Sequence, residues 1–179
     1  CVATSNSDEG TPLSSVYPAF TDATDLTYTR HDNPELFNCD VVFLATPHTV
    51  AMKSAPGLLE AGVTVVDLSA DYRLRDRATY EQWYKVEHTS PELLATATFG
   101  LPELNRQALA DAAARHAQGE AILVACAGCY PTATSLAAAP VIELSQGIVV
   151  ADAISGVSGA GRSATARTHF VSANENFEA

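Results

Sequence analysis

The stretch that decides the fold is Ala121-Ile-Leu-Val-Ala-Cys-Ala-Gly-Cys-Tyr-Pro-Thr-Ala-Thr134, in which an apolar strand-like run passes through a short turn into a helix-like run. Gly128 lets the backbone turn sharply, and Pro131 suits the first turn of a helix, where a missing N–H costs nothing. Cys129 is therefore predicted to lie just before, or at, a helix N-terminus. Unpaired backbone N–H groups at such a position favour an anion, so a thiol there is favoured as the nucleophilic thiolate. The stretch predicts a catalytic cysteine on a strand-to-helix turn.

Two other interpretations of these cysteines remain open from the residues alone. Cys126 and Cys129 form a C-x-x-C pair, which is compatible with a redox dithiol or with half of a metal site. A zinc site needs two further ligands, and Cys1 and Cys39 do not form a second C-x-x-C. Most cysteines are small, buried apolar residues, and this structural role is the one predicted for Cys126.

The wider pattern indicates an α/β fold. Apolar runs rich in β-branched residues, which do not alternate with polar ones, are typical of parallel strands covered on both faces; they occupy residues 41–45, 63–68 and 121–125. Helix-like patterns at residues 49–61 and 105–118 separate them. Strands that alternate with helices predict a doubly wound parallel sheet.

Several boundaries follow from single residues. Gly62 and Gly119 are expected to end the two helices, Asn105 to cap the second, and Pro56 to kink or interrupt the first. Residues 73–102 are predicted to form short helices and loops. A helix from about Pro131 to Leu144 and a strand over residues 148–154 are predicted after the cysteine.

Composition excludes some classes of partner. The 179 residues carry a net charge of −11, so we expect no nucleic-acid partner. No apolar run approaches the roughly 20 residues that span a bilayer, so we expect no membrane partner. Four unevenly spaced cysteines in a chain of this length do not make a disulfide framework, which predicts a cytoplasmic location.

Five stretches, in order along the chain, carry a resemblance to a known family. They are Asp40-Val-Val-Phe-Leu-Ala-Thr-Pro-His48, Val66-Asp-Leu-Ser-Ala-Asp-Tyr-Arg73, Phe99-Gly-Leu-Pro-Glu-Leu-Asn105, Gly128-Cys-Tyr-Pro-Thr-Ala133 and Ser155-Gly-Val-Ser-Gly-Ala-Gly-Arg162. Together they resemble the N-acetyl-γ-glutamyl-phosphate reductases, which are related to aspartate-semialdehyde dehydrogenase. The chain departs from the family pattern at Ala127, where the family usually has Pro.

The resemblance implies a domain organisation. Residues 1–130 would form an NADP-binding Rossmann-type domain that lacks its first strand and glycine-rich turn, and residues 131–179 would begin an α+β substrate and catalytic domain. The chain would then be the middle of a longer protein that forms a homo-oligomer. A catalytic histidine is expected beyond Ala179, since none of the five histidines here matches it, and the fragment alone is expected to be inactive or nearly so.

The resemblance also implies a reaction. The thiolate of Cys129 would attack the acyl carbon of an acyl phosphate, N-acetyl-γ-glutamyl phosphate, and expel phosphate; the thioester would accept hydride from NADPH and release a semialdehyde. Aspartate-semialdehyde dehydrogenase and a lysine-pathway reductase of a carrier-protein-linked acyl phosphate remain as alternatives. A non-enzymatic redox or metal-binding module that uses the C-x-x-C pair is the alternative from another class.

Cofactor and substrate contacts are predicted at strand ends and in a glycine-rich loop. Carboxyl ends of parallel strands bind ligands in α/β sheets, which selects Thr46, Pro47 and Ser69. Residues 1–4 are predicted to be the end of a strand. The hydroxyl side chains that follow it, Ser5 and Ser7, suit a 2′-phosphate, which predicts NADP as the cofactor. The resemblance adds contacts from the loop after residue 154. Gly159 and Gly161 would contact the nicotinamide end of the cofactor, and Arg162 would contact the substrate.

The remaining acidic residues and histidines are given structural roles. Asp67, Asp71 and Asp76 match no Ca²⁺ loop, and Arg73 and Arg75 between them offer salt-bridge partners. His48 is expected to be structural or to contact the cofactor rather than to transfer protons. No metal site is predicted.

Overall fold

The computed structural model describes residues 1–156, residue 159 and residues 177–178. The chain forms two compact units, Cys1–Ala127 and Gly128–Ala179. In the described part of the chain, no helix is long and apolar enough to cross a membrane.

The first unit is built on a parallel four-stranded sheet. Its strands are β1 (Val41–Leu44), β2 (Thr64–Asp67), β3 (Thr98–Gly100) and β4 (Leu123–Cys126), and their order across the sheet is β1-β2-β4-β3. Every pair of neighbours is parallel. The prediction of a parallel α/β sheet is therefore confirmed. The end strand β3 was not predicted, since Thr-Phe-Gly is too short to show an apolar run.

One short helix precedes these strands in the chain, and three helices connect them. These helices are α1 (Leu13–Val16), α2 (Ala51–Glu60), α3 (Arg77–Tyr84) and α4 (Pro102–Ala117), with 3₁₀ turns at Pro18–Phe20, Pro34–Asn38 and Pro91–Leu93. Gly62 and Gly119 follow α2 and α4 with φ values of 86° and 89°, which an L side chain adopts only with strain. Asn105 is not the first cap of α4 but lies at a kink within it, with φ −127° and ψ 29°.

Of the two effects predicted for Pro56, a kink or an interruption of α2, the interruption is not observed. Pro56 lies inside one helix that runs from Ala51 to Glu60. A proline lacks the N–H that would bond to the carbonyl four residues earlier, here Met52. That carbonyl instead accepts hydrogen bonds from the hydroxyls of Thr89, at 3.0 Å, and Ser90, at 2.9 Å. The helix continues because a distant loop supplies the missing donors.

The apolar core lies beneath the sheet and α2. Its buried cluster combines side chains from β1, α2, β2, β4 and the segment between β2 and β3, among them Val42, Leu44, Met52, Leu58, Val65, Tyr72, Leu94 and Leu123. The amino-terminal residues join the same unit through a parallel bridge between Thr4 and Thr29 and an antiparallel one between Pro12 and Thr27. Residues 1–4 therefore pair in part but do not form a full strand.

The second unit begins with a helix and differs from the prediction after it. Helix α5 runs from Cys129 to Ala138, and a 3₁₀ turn covers Ile142–Leu144, so the predicted helix to Leu144 is too long. Residues 148–154 do not form the predicted strand, because a strand needs a paired neighbour and the described residues give this segment none. The strands that do pair are β5 (Ser155–Gly156) and β6 (Phe177–Glu178), which are antiparallel.

Candidate functional site

The strands of the first unit end side by side. Leu44 of β1 pairs with Asp67 of β2, and Asp67 pairs with Ala125 of β4. The loops that follow these residues therefore leave the same edge of the sheet, the edge at which open α/β sheets bind ligands. Thr46, Pro47 and Ser69 all lie on these loops, as the sequence predicted.

Hydrogen bonds join the loop after β1 to the loop after β2. The backbone N–H of Ala70 donates to Nδ1 of His48 at 3.1 Å. The buried carboxylate of Asp71 accepts from the backbone N–H groups of Thr49, at 2.8 Å, and Met52, at 3.1 Å. Because His48 accepts a bond through Nδ1, it holds the loop in place, which agrees with the structural role predicted for it.

The loop after β1 has two unusual features. The hydroxyl oxygen of Thr46 is buried, and no described residue gives it a hydrogen-bond partner. Thr49 has a φ of 74°, a left-handed conformation that a β-branched residue adopts only under strain. An unpaired buried hydroxyl and a strained backbone are features that concentrate where a loop is shaped for a ligand.

Ser69 occupies a buried turn rather than an open surface. Its hydroxyl donates to Oδ2 of Asp67 at 3.0 Å and accepts from the N–H of Asp71 at 3.2 Å, while its N–H donates to Oδ1 of Asp67. Burial raises the pKa of the Asp67 carboxyl, which the hydrogen bonds from Ser69 partly oppose. The hydroxyl of Ser69 is thus used within the protein.

Arg73 is a residue of this edge whose role the sequence analysis missed. It was expected to form salt bridges with neighbouring carboxylates. Its Nε instead donates to the carbonyl of Cys126 at 2.7 Å, and its Nη2 to the carbonyl of Leu68 at 2.9 Å. These bonds tie the ends of β2 and β4 together, three residues before Cys129 in the chain. The signal in the sequence was the position of Arg73 shortly after a predicted strand, where an arginine can donate to backbone carbonyls at strand ends as well as to nearby acids.

The three aspartates are structural, but hydrogen bonds rather than salt bridges hold them. Asp76 caps α3, with its carboxylate accepting from the N–H of Thr79 at 2.6 Å, and Asp67 and Asp71 bond as described above. The ion pairs found among the described residues involve other acids, such as Glu81 with Arg77. In the same part of the chain, no cluster of three His, Cys, Asp or Glu side chains could hold a metal ion.

Ser5 and Ser7 lie together at the amino-terminal end of the unit. Their hydroxyl oxygens are 3.1 Å apart, and both donate to Oδ2 of Asp8, at 2.8 Å from Ser5 and 3.2 Å from Ser7. The backbone N–H of Ser5 bonds to the carbonyl of Thr29. A pair of hydroxyl donors therefore already faces an anionic oxygen in this structure.

A groove of about 1170 Å³ runs between residues 1–4 and strand β1. Its lining includes Thr4 on one side and Phe43 and Thr46 on the other. Strand β1 is at one end of the sheet, and 68% of the surface of Phe43 is exposed. The groove thus lies along an open sheet edge and ends at the loop that carries Thr46.

The first of the two C-x-x-C cysteines closes β4. Cys126 is half-buried, and burial together with the nearby charge of Asp67 raises the pKa of its thiol, which Arg73 partly opposes. A raised pKa leaves less thiolate at neutral pH, so Cys126 is poorly suited to nucleophilic attack.

The second cysteine opens the second unit. Cys129 is the first residue of α5, follows Gly128 in an extended conformation, and is exposed and not in a disulfide. The helix begins with the N–H of Thr132 bonded to the carbonyl of Gly128 at 2.9 Å. The predicted place of Cys129 at a helix start is thus observed. It also lines a cavity of about 600 Å³ between α5 and residues 149–155.

Of the glycine-rich loop, the structure describes Gly159. A Cβ atom there would collide with the hydroxyl of Ser155, so a larger residue would force that side chain into another rotamer. Gly161 and Arg162, predicted to contact cofactor and substrate, lie outside the described residues.

Two family models match the chain. The model of the semialdehyde dehydrogenase NAD-binding domain matches residues 1–112. The model of the semialdehyde dehydrogenase dimerisation domain matches residues 129–179. Both matches agree with the parallel sheet of the first unit and with a separate unit after β4.

Similar proteins are known by sequence and by structure. N-acetyl-gamma-glutamyl-phosphate reductases from Halorhodospira halophila and Herminiimonas arsenicoxydans are 50% and 45% identical to this chain. Each alignment covers 98% of this chain and 49% of the relative. The chain thus spans about half the length of the curated relatives it matches. The aspartate semialdehyde dehydrogenase II of Vibrio cholerae, solved with ASA, superposes with a TM-score of 0.51 at 17% identity, over 78% of this chain and 35% of that one; this likeness concerns the fold.

Proposed function

The chain belongs to the semialdehyde dehydrogenase family, and on this premise we propose that the complete protein is an N-acetyl-γ-glutamyl-phosphate reductase of arginine biosynthesis. The observation that carries the proposal is Cys129, which stands exposed at the first residue of α5 within Gly128-Cys-Tyr-Pro131. Relatives of that name, 42% to 50% identical over nearly the whole chain, support this choice of substrate.

The position of Cys129 supports one role in the reaction, that of the nucleophile. The Sγ of Cys129 attacks the acyl carbon, and the bond from that carbon to the phosphate oxygen breaks, so phosphate leaves with the electron pair and a thioester remains. A bound nicotinamide cofactor supplies the hydride that reduces the thioester carbonyl. The carbon–sulfur bond then breaks, Cys129 returns to the thiolate, and the semialdehyde is released. Cys129 is the first residue of α5, at the end of the helix where unpaired N–H groups favour negative charge.

The carboxyl edge of the sheet suits the cofactor. The buried, unpaired hydroxyl of Thr46 offers a ligand a hydrogen bond that no described residue uses, and Pro47 fixes the backbone beside it. Ser69 contributes through the turn it builds, since its hydroxyl is engaged with Asp67 and Asp71. In the second unit we assign Gly159 and Gly161 to the cofactor and Arg162 to the substrate.

We further propose that the cofactor is NADP. Support comes from the paired hydroxyls of Ser5 and Ser7, which already donate to one anionic oxygen, that of Asp8. A 2′-phosphate oxygen would take the place of that carboxylate oxygen. The comparison of kcat/KM for NADPH and NADH tests this directly, and an enzyme that prefers NADH would contradict it.

The domain organisation is a proposal of the same kind. Residues 1–130 form the cofactor domain, and the groove along β1 receives a further strand and the glycine-rich turn of the complete protein; its volume and the open sheet edge support this. Residues 131–179 begin the catalytic domain. We assign a homo-oligomer because residues 129–179 match the dimerisation domain model.

One assay separates this function from two of its alternatives, aspartate-semialdehyde dehydrogenase and the module without enzymatic activity. The complete protein is incubated with phosphate, NADP⁺ and either N-acetylglutamate semialdehyde or aspartate semialdehyde, and NADPH formation is followed by absorbance. We expect turnover with the N-acetylglutamate compound at least about 100-fold above that with the other, since a site built for a polar substituent rejects one that lacks it. Turnover with aspartate semialdehyde alone would contradict the substrate. No turnover, together with bound zinc or a redox-active Cys126–Cys129 pair, would favour the module without enzymatic activity.

A further inference from the structure

We propose that Asp71 is a positioning residue, whose carboxylate holds the loop of residues 46–49 in the conformation that receives the nicotinamide cofactor. The inference rests on the proposed function for the identity of the ligand. The sequence pattern predicts a structural role for Asp71 and no part in the site. The contacts of its carboxylate and the loop that it holds support the further role.

The first reason is that both carboxylate oxygens of Asp71 bind that loop and the helix after it. Oδ1 accepts from the N–H of Thr49 at 2.8 Å, and Oδ2 accepts from the N–H of Met52 at 3.1 Å. These are N–H groups at the start of α2, which have no partner within the helix. A carboxylate there is favoured by the helix dipole and by two charge-assisted hydrogen bonds.

The second reason is that Asp71 is itself held from several sides. Its N–H bonds to the hydroxyl of Ser69 at 3.2 Å, and its carbonyl accepts from Nε2 of His88 at 2.9 Å. The hydroxyl of Tyr80 donates to Oδ1 at 3.1 Å. The residue is fully buried. A group fixed on its backbone and its side chain can impose a position on a loop rather than follow it.

The third reason is the state of the loop itself. Thr49 keeps a φ of 74°, and such a conformation persists in a β-branched residue only when its surroundings impose it. The bond from the N–H of Thr49 to Asp71 is the contact that imposes it. Three residues earlier, the buried hydroxyl of Thr46 has no partner among the described residues. The loop therefore combines a held backbone with a free hydrogen-bonding group, which is how a preformed ligand site is built.

The test compares three variants of the complete protein. Asp71→Asn keeps the size of the side chain but offers one oxygen and one NH₂ to two N–H donors, so one loop contact becomes repulsive. Tyr80→Phe removes a third bond to Asp71 and leaves both loop contacts. Val63→Ala truncates a buried core residue away from the loop and serves as the control for lost stability.

Two readouts are taken for each variant. The dissociation constant of NADPH is measured by fluorescence titration, and hydrogen–deuterium exchange is measured for the peptide that covers residues 45–52. For Asp71→Asn we expect NADPH binding weakened about tenfold and faster exchange in that peptide, because a buried donor is left unpaired. For Tyr80→Phe and Val63→Ala we expect a change within about twofold, even where Val63→Ala lowers the melting temperature as much as Asp71→Asn does.

The outcomes separate this inference from the proposed function. If the wild-type protein binds NADPH and Asp71→Asn binds it equally well, the positioning role is wrong and the function stands. If Val63→Ala weakens NADPH binding as much as Asp71→Asn at equal loss of melting temperature, the effect is stability alone and the positioning role is again wrong. If the wild-type protein binds neither NADPH nor NADH, the proposed function falls, and the cofactor role of Asp71 falls with it.

Discussion

Two regions of the molecule differ in which side chains they bury. The loops at the carboxyl edge of the first unit bury polar side chains, whereas the segment after α5 in the second unit exposes apolar ones. At the edge, the polar side chains of Asp67, Ser69 and Asp71 are buried, and all three are hydrogen-bonded. After α5, apolar side chains are exposed: Leu144 by 81%, Val150 by 86% and Ile148 by 93%. The first region is stabilised by specific polar contacts within the described residues, whereas the apolar residues of the second are not covered by them.

This contrast suggests that substitutions should separate by region. A change in the polar network should cost stability, because an unpaired buried group is expensive. A change at exposed Cys129 should lower catalytic activity and leave the free energy of unfolding nearly unaltered, since its side chain is not packed into a core. Four experiments, taken from the largest expected effect to the smallest, test the contrast.

The largest effect is expected from Cys129→Ser in the complete protein. A serine hydroxyl is a far weaker nucleophile at neutral pH, so reductase activity should fall by about a thousandfold or more. The free energy of unfolding should change by less than about 0.5 kcal/mol, as for other exposed substitutions. Steady-state kinetics and urea unfolding measure the two effects.

Cys126→Ser is the matched control for that variant. Its thiol has a raised pKa and is half-buried, so most of the activity should remain. Equal loss of activity from both variants would contradict a single nucleophile and favour a dithiol.

The next effect is expected from Ser90→Ala, on stability. The hydroxyl of Ser90 is buried, donates to the carbonyl of Met52 and lies 2.7 Å from the hydroxyl of Tyr72. Its loss leaves both partners short of a bond, so the free energy of unfolding should fall by about 1–3 kcal/mol. Ser54→Ala, which removes an exposed hydroxyl on α2, should cost less than about 0.5 kcal/mol.

A double-mutant cycle of Ser90→Ala with Pro56→Ala tests whether Ser90 compensates for the N–H that Pro56 lacks. The restored N–H of residue 56 would bond to the carbonyl of Met52, so Ser90→Ala should cost less in that background than in the wild type. Costs that simply add would show that Ser90 does not compensate for the proline.

A smaller effect, of opposite sign, is expected from Thr49→Gly. Glycine adopts the φ of 74° without strain, and the relief exceeds the added entropy of the unfolded chain, so stability should rise by about 0.5–1 kcal/mol. Lys85→Gly, at a φ of 57° but without β-branching, should gain less. Thermal unfolding compares them with Ala95→Gly, which should lose stability; a loss in Thr49→Gly as well would mean that the loop is not strained.

The smallest effect concerns pH, and two aspartates should act with opposite signs. Burial raises the pKa of the Asp67 carboxyl above its ordinary value of 3.8, so the stability that it contributes is present below that value and is lost as pH rises through the folded pKa. Hydrogen bonds from Thr79 lower the pKa of exposed Asp76, so its contribution is present above 3.8 and is lost as pH falls.

Urea unfolding across acidic pH measures both contributions. Asp67→Asn should make stability fall less as pH rises above about 3.8, and Asp76→Asn should make it fall less as pH drops below that value. Shifts of the same sign in the two variants would contradict the assignment of burial to one residue and capping to the other.

Sequence pattern was informative where the structure uses local or repeated features. Strands β1, β2 and β4 lie within the predicted apolar runs or one residue beyond them, and α5 begins at Cys129 because Gly128 and Pro131 favour a helix start there. The missed or wrong elements depend on distant partners. Strand β3 is three residues that pair with β4, and residues 148–154 have a strand-like pattern but no described neighbour with which to pair.

The candidate site shows the same division. Thr46 and Pro47 could be selected from the sequence because they follow a strand, a property of chain order. The contacts of Asp71 could not, since Thr49 and Met52 lie 22 and 19 residues away in the chain. Arg73 was read beside its neighbouring acids, whereas it bonds to a carbonyl 53 residues away. Both charged residues act through backbone groups that no side-chain pattern reveals.

The proline inside α2 also has a consequence for the order in which the chain assembles. The carbonyl of Met52 gains its partners from residues 89 and 90, nearly 40 positions later. An isolated α2 would therefore expose an unpaired carbonyl in its first turn, and short helices are marginal even when every bond is made. The loop around Ser90 must close before that turn of the helix is complete, and loop closure carries an entropic cost. Helix α2 is thus expected to form with the sheet in the folding transition state rather than ahead of it.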